Sequence, residues 1–470
     1  MQSEGAVKYF EENYENFLEE LKALVRIPSV SANGFDRKNV SDSAEAVASL
    51  VRKSGLQNVE MLTVNDSHPY IYGEWLGPPD DARNRERNKR TVLLYAHHDV
   101  QPTGDLSKWN TKPFEPELKG DRLFGRGVAD DKAGVVAAIA TISSYLKSAS
   151  KLPLNVKIII EGEEETGSEN LPHLLNEYKE KLAADFIILS DTDNYDIGIP
   201  AITTQLRGIV SVDLTVSTLK QPVHSGMWGG PIPDPIQILA KIISKLTDDR
   251  GKILIPNIYN NVTELSESEK KTLRNLPFNE ELFREHSCLL DGVNLTGEKD
   301  YLPHEQIWYR PSLSVNAIQA SSRQQVSNII VDSAWAHIGI RTVPNMKVEK
   351  TLDSLIKFLR DVAPKDVILD IKPHTSVPWW KTDTSHRAFE AAKEALTKGY
   401  GHEPVFIGSG GSIGFVEPFT KTLGGAPALL VGIEDPNANA HSWNESLYLP
   451  DWKKNIVSTI YLLENLAKIK

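Results

Sequence analysis

A chain of 470 residues exceeds what one hydrophobic core usually serves, and 40% hydrophobic content suffices for it to fold throughout, so two domains are expected and a disordered chain is excluded. A formal net charge of −11 argues against a polyanion partner, because nucleic-acid binding needs clustered Lys and Arg to displace counterions. Cys288 is the single cysteine, which excludes an intramolecular disulfide and a thiolate-rich zinc site and points to a reducing, cytoplasmic compartment.

The opening stretch is acidic and amphipathic, with no apolar targeting core, and predicts a helix over 6–25. No run of about 20 apolar residues follows anywhere, so a membrane span is not expected. The basic run Arg83 to Arg90 is interrupted by Asn84, Glu86 and Asn88 after Pro78-Pro79, and reads as a solvated loop. Apolar runs then alternate with helical stretches: strand 91–96, helix 133–146, strand 156–160 and strand 186–189. These strands are too continuously apolar to have a wet face, so the predicted class is α/β, a central sheet flanked by helices on both sides.

From Gly208 the pattern changes. Residues 210–216 alternate like a strand with one solvated face, a helix is predicted over 235–246, and 331–341 reads as another strand. This is a smaller α+β domain, elaborated by the Asn-, Glu- and Pro-rich segment 251–311. The α/β character returns with helix 387–396, strand 428–432 and a last helix over 452–469. The expected boundaries are therefore a catalytic domain of 1–206 and 385–470, with 207–384 inserted.

Acidic and imidazole side chains fall where the predicted strands end, which is where open α/β sheets bind ligands. Strand 91–96 runs into His97-His98-Asp99, and Asp130-Asp131, Glu163-Glu164-Glu165, Asp191 and His441 follow. Imidazoles and carboxylates without thiolates suit zinc, manganese or cobalt, and an excess of carboxylates can bridge two ions. Asp99 stands two residues after His97, so both can point to one face, with Asp99 orienting a ligating His97. Capping of the following helix accounts for one of Asp130 and Asp131 but not both, and Gly134 permits close approach there. Crowded glutamates at 163–165 are costly unless cations neutralise them, and they allow one to ligate while its neighbour serves as general base. Spacing alone leaves Asp191 and Asp193 equivalent.

Taken together these motifs resemble the di-metal exopeptidase and aminoacylase family that includes glutamate carboxypeptidase, succinyl-diaminopimelate desuccinylase and the cytosolic dipeptidase or carnosinase group. The resemblance extends over nearly the whole chain, through Arg26-Ile27-Pro28-Ser29-Val30-Ser31, Val100-Gln101-Pro102, Pro222-Val223-His224-Ser225-Gly226, Gly251 to Pro256, Arg310 to Ser314 and His441-Ser442-Trp443-Asn444-Glu445. The middle three point to the dipeptidase branch. It implies two divalent ions per subunit, zinc before manganese or cobalt. One would be held by His97, Asp130 and Asp191, the other by Asp130, Glu165 and His441, with Asp130 as the bridge. Glu164 would be the general base and Asp99 the partner of His97, with a cis peptide after Asp130 and His98 a bystander. The inserted domain would act as a lid and dimerisation domain of a homodimer, its His224 reaching the partner's active site. Arg341 would clamp the substrate's terminal carboxylate, and Asn328, His374 and Ser412 would be further substrate contacts.

Two departures stand out. The dipeptidase branch reads Arg-Glu-Gly-Gly-Ser-Ile-Pro where this chain has Gly408-Ser409-Gly410-Gly411-Ser412-Ile413-Gly414, and the family's Ile-Pro turn near Asn328 becomes Ile329-Ile330. Missing an acid at 409, the chain could prefer longer peptides, blocked amino ends or acylated amino acids. The sequence reading is thus a metal-dependent hydrolase of dipeptides or short peptides. An N-acyl amino acid or succinyl-diaminopimelate amidohydrolase is the alternative on the same scaffold, and a non-catalytic relative is disfavoured because every ligand and the base are present.

Overall fold

The structure is a computed structural model that describes residues 2–77, 90–324, 326–374 and 376–469. The expected basic loop lies outside the described residues except for Arg90, whose Nη1 donates to Asp185 Oδ1 at 2.7 Å. Backbone contacts divide the chain into two compact units. The first comprises Met1–Thr204, Thr382–Ile407 and Phe415–Lys470, and the second Gln205–Lys381 with Gly408–Gly414. Among the described residues no helix is long and apolar enough to cross a membrane.

In the first unit, helix Gln2–Val25 buries Ala6, Phe10, Phe17, Leu21 and Leu24, the spacing of one helical face, against helix Lys132–Ala149. Strand Thr91–His97 pairs in parallel with Asn155–Glu161 on one side and Phe186–Leu189 on the other. Ala428–Val431 extends the parallel run beyond Phe186–Leu189, while Tyr70–Trp75 and Gln57–Leu62 add antiparallel strands at the opposite edge. The result is the mixed, helix-flanked α/β sheet that the apolar runs predict. One face packs on helices Gln2–Val25, Lys132–Ala149, Arg387–Tyr400 and Leu449–Leu466. On the other, Tyr95 stacks on Phe415 with ring centroids 3.9 Å apart.

Register places the functional ends together: His97 is paired with Glu161, and Tyr95 with Leu189. The chain leaves Thr91–His97 for a neighbour on one side and returns to a neighbour on the other, so the carboxyl end of this strand is the topological switch point. Element limits shift slightly from the sequence reading. The last helix begins at Leu449 rather than Trp452, since Pro450 in its first turn needs no N–H partner, and the helix from Pro235 ends at Ile243.

The second unit is built on a four-stranded antiparallel sheet in the order Ser312–Gln319, Ser333–Thr342, Gly208–Ser217, Ile368–Pro373. Core-facing apolar side chains recur at every second position in its two central strands. Val210, Val212, Leu214 and Val216, with Ala334, Ala336, Ile338 and Ile340, line a core under helices Pro235–Ile243 and Val348–Val362. The opposite face carries Asp213, Thr215, Trp335, His337 and Arg341, all partly exposed.

Candidate metal centre

His97 is the last residue of its strand and is fully buried. Its backbone N–H donates to Asp131 Oδ2 at 3.2 Å, its Nδ1 lies 3.2 Å from the backbone oxygen of Asp99 and 3.4 Å from the Asp99 carboxylate, and its Nε2 points to the acids. His98 instead packs inward, with Nδ1 3.2 Å from Ser43 Oγ and Nε2 3.2 Å from the Pro69 oxygen, and burial pushes its pKa down to about 4.

The turn Gly125–Asp131 presents Asp130 at the mouth of helix Lys132–Ala149, and the bond between Asp130 and Asp131 is cis. Asp131 caps the helix by accepting from Gly134 N–H at 3.2 Å. A Cβ on Gly134 would come within 2.1 Å of Asp131 Oδ1 and 2.7 Å of the Ser190 oxygen, so only glycine fits. Glu445, fully buried, holds the turn from across the fold. Its carboxylate accepts from Arg126 Nη1 at 2.7 Å and from the backbone N–H groups of Gly127, Ala129 and Asp130 at 2.9, 3.0 and 3.2 Å.

The three consecutive glutamates separate by environment. Glu163 is buried and accepts from His68 N–H, the Tyr70 hydroxyl and Asn170 N–H, which makes it a structural anchor. Asp99, also buried, accepts from Ser31 Oγ at 2.6 Å and from the backbone N–H groups of Glu164 and Glu165 at 3.2 and 3.0 Å. One carboxylate therefore fixes both His97 and the turn that bears Glu164 and Glu165. Gln101 Nε2 donates to Glu165 Oε2 at 2.8 Å.

These supports bring two donor sets together. His97 Nε2 lies 2.9 Å from Asp130 Oδ1 and 3.7 Å from Asp191 Oδ1, while His441 Nε2 lies 2.8 Å from Asp130 Oδ2 and 3.2 Å from Glu165 Oε2. In each triad one ligand atom per residue falls within 4.8 Å of the others. Asp130 turns one oxygen to each triad. Asp193, two residues from Asp191, is exposed and stands outside both triads.

The electrostatics suit cations. Against the burial that would raise it, the hydrogen bond from His441 and the nearby His97 ring hold Asp130 below the usual carboxylate range. Burial, then the Asp130 charge, push Glu165 up to about 7, and hydrogen bonds to Asp130 and Glu165 push His441 up to about 11. Glu164 is driven well up by burial, and the charges of Asp191, Glu165 and Asp130 add to the rise. Although His97 Nε2 is close to Asp130, it makes no properly angled hydrogen bond and is left as a buried orphan. An imidazole nitrogen without a hydrogen-bond partner, 2.9 Å from Asp130 Oδ1 and 3.7 Å from Asp191 Oδ1, fits a divalent ion held among the same donors.

Glu445, Gln101 and Ser31 were visible in the sequence only as parts of longer motifs, with no spacing rule to mark their roles. Glu445 acts on residues more than 300 positions away, where no local periodicity carries a signal.

The remaining expected residues lie in the second unit. Arg341 Nη1 donates to Ser412 Oγ at 2.7 Å, and Arg207 Nε donates to the Gly410 oxygen at 3.0 Å, drawing the loop Gly408–Gly414 onto this unit. His224 is exposed, its Nδ1 accepting from Gly226 N–H at 3.0 Å, and Asn328 is exposed with its carbonyl accepting from Ser225 N–H at 2.9 Å. His374 follows strand Ile368–Pro373 and lies 3.1 Å from Asp213 Oδ2.

Comparison with known proteins bears on the same residues. The chain is 31% identical over 446 residues to the Cys-Gly metallodipeptidase DUG1 of Saccharomyces cerevisiae, spanning 92% of this chain and 91% of that protein. It is 29% identical over 437 residues to the cysteinylglycine-S-conjugate dipeptidase of Corynebacterium striatum, spanning 93% and 92%. Human carnosine dipeptidase 1 superposes with a TM-score of 0.87 at 26% identity, covering 100% of this chain and 99% of that one. The model of peptidase family M20/M25/M40 matches residues 93–468, a span that begins in the strand leading to His97 and includes both donor triads. The chain belongs to peptidase family M20/M25/M40.

Proposed function

We propose that this protein is a metallo-exopeptidase that hydrolyses dipeptides or short peptides with two divalent ions and a glutamate base. The observation that carries the reading is the pair of donor triads sharing Asp130, with Glu164 beside them, in a chain of this family. His97, Asp130 and Asp191 would hold one ion and Asp130, Glu165 and His441 the other, zinc first among candidates and manganese or cobalt next. Such ions, when bound, lower the pKa of water and polarise a carbonyl. Glu164 takes a proton from the attacking water, whose oxygen bonds to the peptide carbon, and returns it to the nitrogen as the C–N bond breaks. Asp99 keeps His97 and the Glu164–Glu165 turn in place. Glu164→Gln should lower kcat about 10²- to 10⁴-fold, the usual worth of a general base, while elemental analysis finds unchanged metal content. Near-normal turnover in that variant would overturn the assignment.

In the same reading the first unit is the catalytic domain and the second a lid and dimerisation domain. Arg341 binds the substrate carboxylate, supported by its planar fork and its bond to Ser412, and Asn328 and His374 add contacts. His224 acts across a homodimer, and the enzyme works in the cytoplasm.

One observation favours acylated or amino-blocked substrates as a second reading. At Gly408 and Gly410 a Cβ would come within 2.7 Å of Trp308 and 2.6 Å of Ile307, and Ser409 between them is uncharged, so this loop offers no carboxylate to a free ammonium. Metal-stripped protein reloaded with zinc, manganese or cobalt would be assayed on Cys-Gly, β-Ala-His, longer peptides and N-acyl amino acids. Cleavage confined to acylated substrates would move the enzyme to the amidohydrolase reading.

A further inference from the structure

The open face of the second unit's sheet bears a cluster in which Asp213 and His337 take no part in the chemistry above and only His374 is a proposed substrate contact. Asp213 and His337 are directly opposed on neighbouring antiparallel strands, and His374 enters from the end of the outer strand, where its backbone N–H donates to the Ser211 oxygen at 3.0 Å. His337 Nδ1 lies 2.8 Å from Asp213 Oδ1 and His374 Nε2 lies 3.1 Å from Asp213 Oδ2, so each carboxylate oxygen faces one imidazole. The two rings stand 5.0 Å apart at 70° to each other. One donor atom from each residue falls within 4.8 Å of the other two.

We infer that Asp213, His337 and His374 form a third divalent-cation site, of the zinc class, on the second unit. The donor set is two imidazoles and a carboxylate, the composition of open three-ligand zinc sites, and borderline ions are preferred over calcium or magnesium by the two nitrogens. The spacing agrees. Tetrahedral donors bonded at about 2.0–2.1 Å sit roughly 3.3 Å from one another, so an ion entering the cluster needs only small side-chain adjustments. Strands hold two of the three residues, which fixes their Cα positions through the ladder.

The site also has access and a suitable charge. The side chains of Asp213, His337 and His374 are 26, 26 and 48% exposed, leaving room for a water as fourth ligand. Lys372, paired with Asp213 across the sheet, is the cation that could compete, but its Nζ leans to Asp370 at 3.4 Å and leaves the Asp213 carboxylate to the imidazoles.

The deciding experiment is zinc stoichiometry on the full chain. After equilibrium dialysis at low micromolar free zinc, elemental analysis should find one more ion in the unmodified protein than in His337→Gln or Asp213→Asn, neither of which is a proposed ligand of the first unit. Equal stoichiometry in all three proteins would overturn the inference. Anomalous diffraction at the zinc edge from zinc-equilibrated crystals of the unmodified protein is independent of how well the variants fold. A peak enclosed by His337, His374 and Asp213 is expected, and its absence beside filled sites at Asp130 would overturn the site.

Discussion

Replacing Glu445 by Gln tests whether the metal-bearing turn is held by tertiary electrostatics or by its own backbone preferences. Glu445 is fully buried and its carboxylate serves four donors, one of them the guanidinium of Arg126, itself 2% exposed. Gln keeps the volume but removes the charge and one acceptor, and turns an amide NH₂ toward groups that are all donors. Breaking one side of a buried pair typically costs about 3–5 kcal/mol, because the remaining charge stays desolvated. The first unit has about 290 residues, so its unfolding entropy is roughly 0.6 kcal/mol/K and that loss corresponds to a melting point lower by about 5–8 °C. Since Asp130 rides on the same turn, metal affinity should fall roughly 10- to 100-fold, the usual effect of losing a group that orients a ligand. Scanning calorimetry with and without zinc, and zinc titration against a competing chelator, measure the two effects. An unshifted melting temperature together with full zinc affinity would refute the reasoning.

Three further outcomes are expected. Asp99→Asn removes the charge and one of the two oxygens that accept from Ser31 and the N–H groups of Glu164 and Glu165, and should weaken metal binding about 10- to 100-fold and lower kcat, read by titration and steady-state kinetics. Gly134→Ala forces a methyl against Asp131 Oδ1, so it loses the helix cap and strains the packing, together about 2–4 kcal/mol in thermal unfolding. Chelation should abolish turnover and lower the melting temperature, since ligand present at 100 times its Kd stabilises by about 2.7 kcal/mol, and zinc readdition should restore both.

Much was legible along the chain because the signals were local. The buried face of helix Gln2–Val25 follows helical period, and continuously apolar strands followed by His97, Glu165 and Asp191 mark a covered sheet with ligands at its carboxyl edge. Apolar residues at every second position in 210–216 separate the core face of the second sheet from its open one. Other features depend on chain closure. Two oxygens of Asp130 meet histidines at positions 97 and 441, Glu445 gathers the turn at 125–131, and Gly408–Gly414 joins the second unit because Arg207 and Arg341 reach it. Glu163, Glu164 and Glu165 are chemically identical in the sequence. Burial against Tyr70 and Asn170 makes the first a structural anchor, and contact with His441 draws the third into the metal triad. A side chain's type and local period are written in the sequence. Which distant groups desolvate it or donate to it is decided only when the strands and loops that carry them are packed side by side.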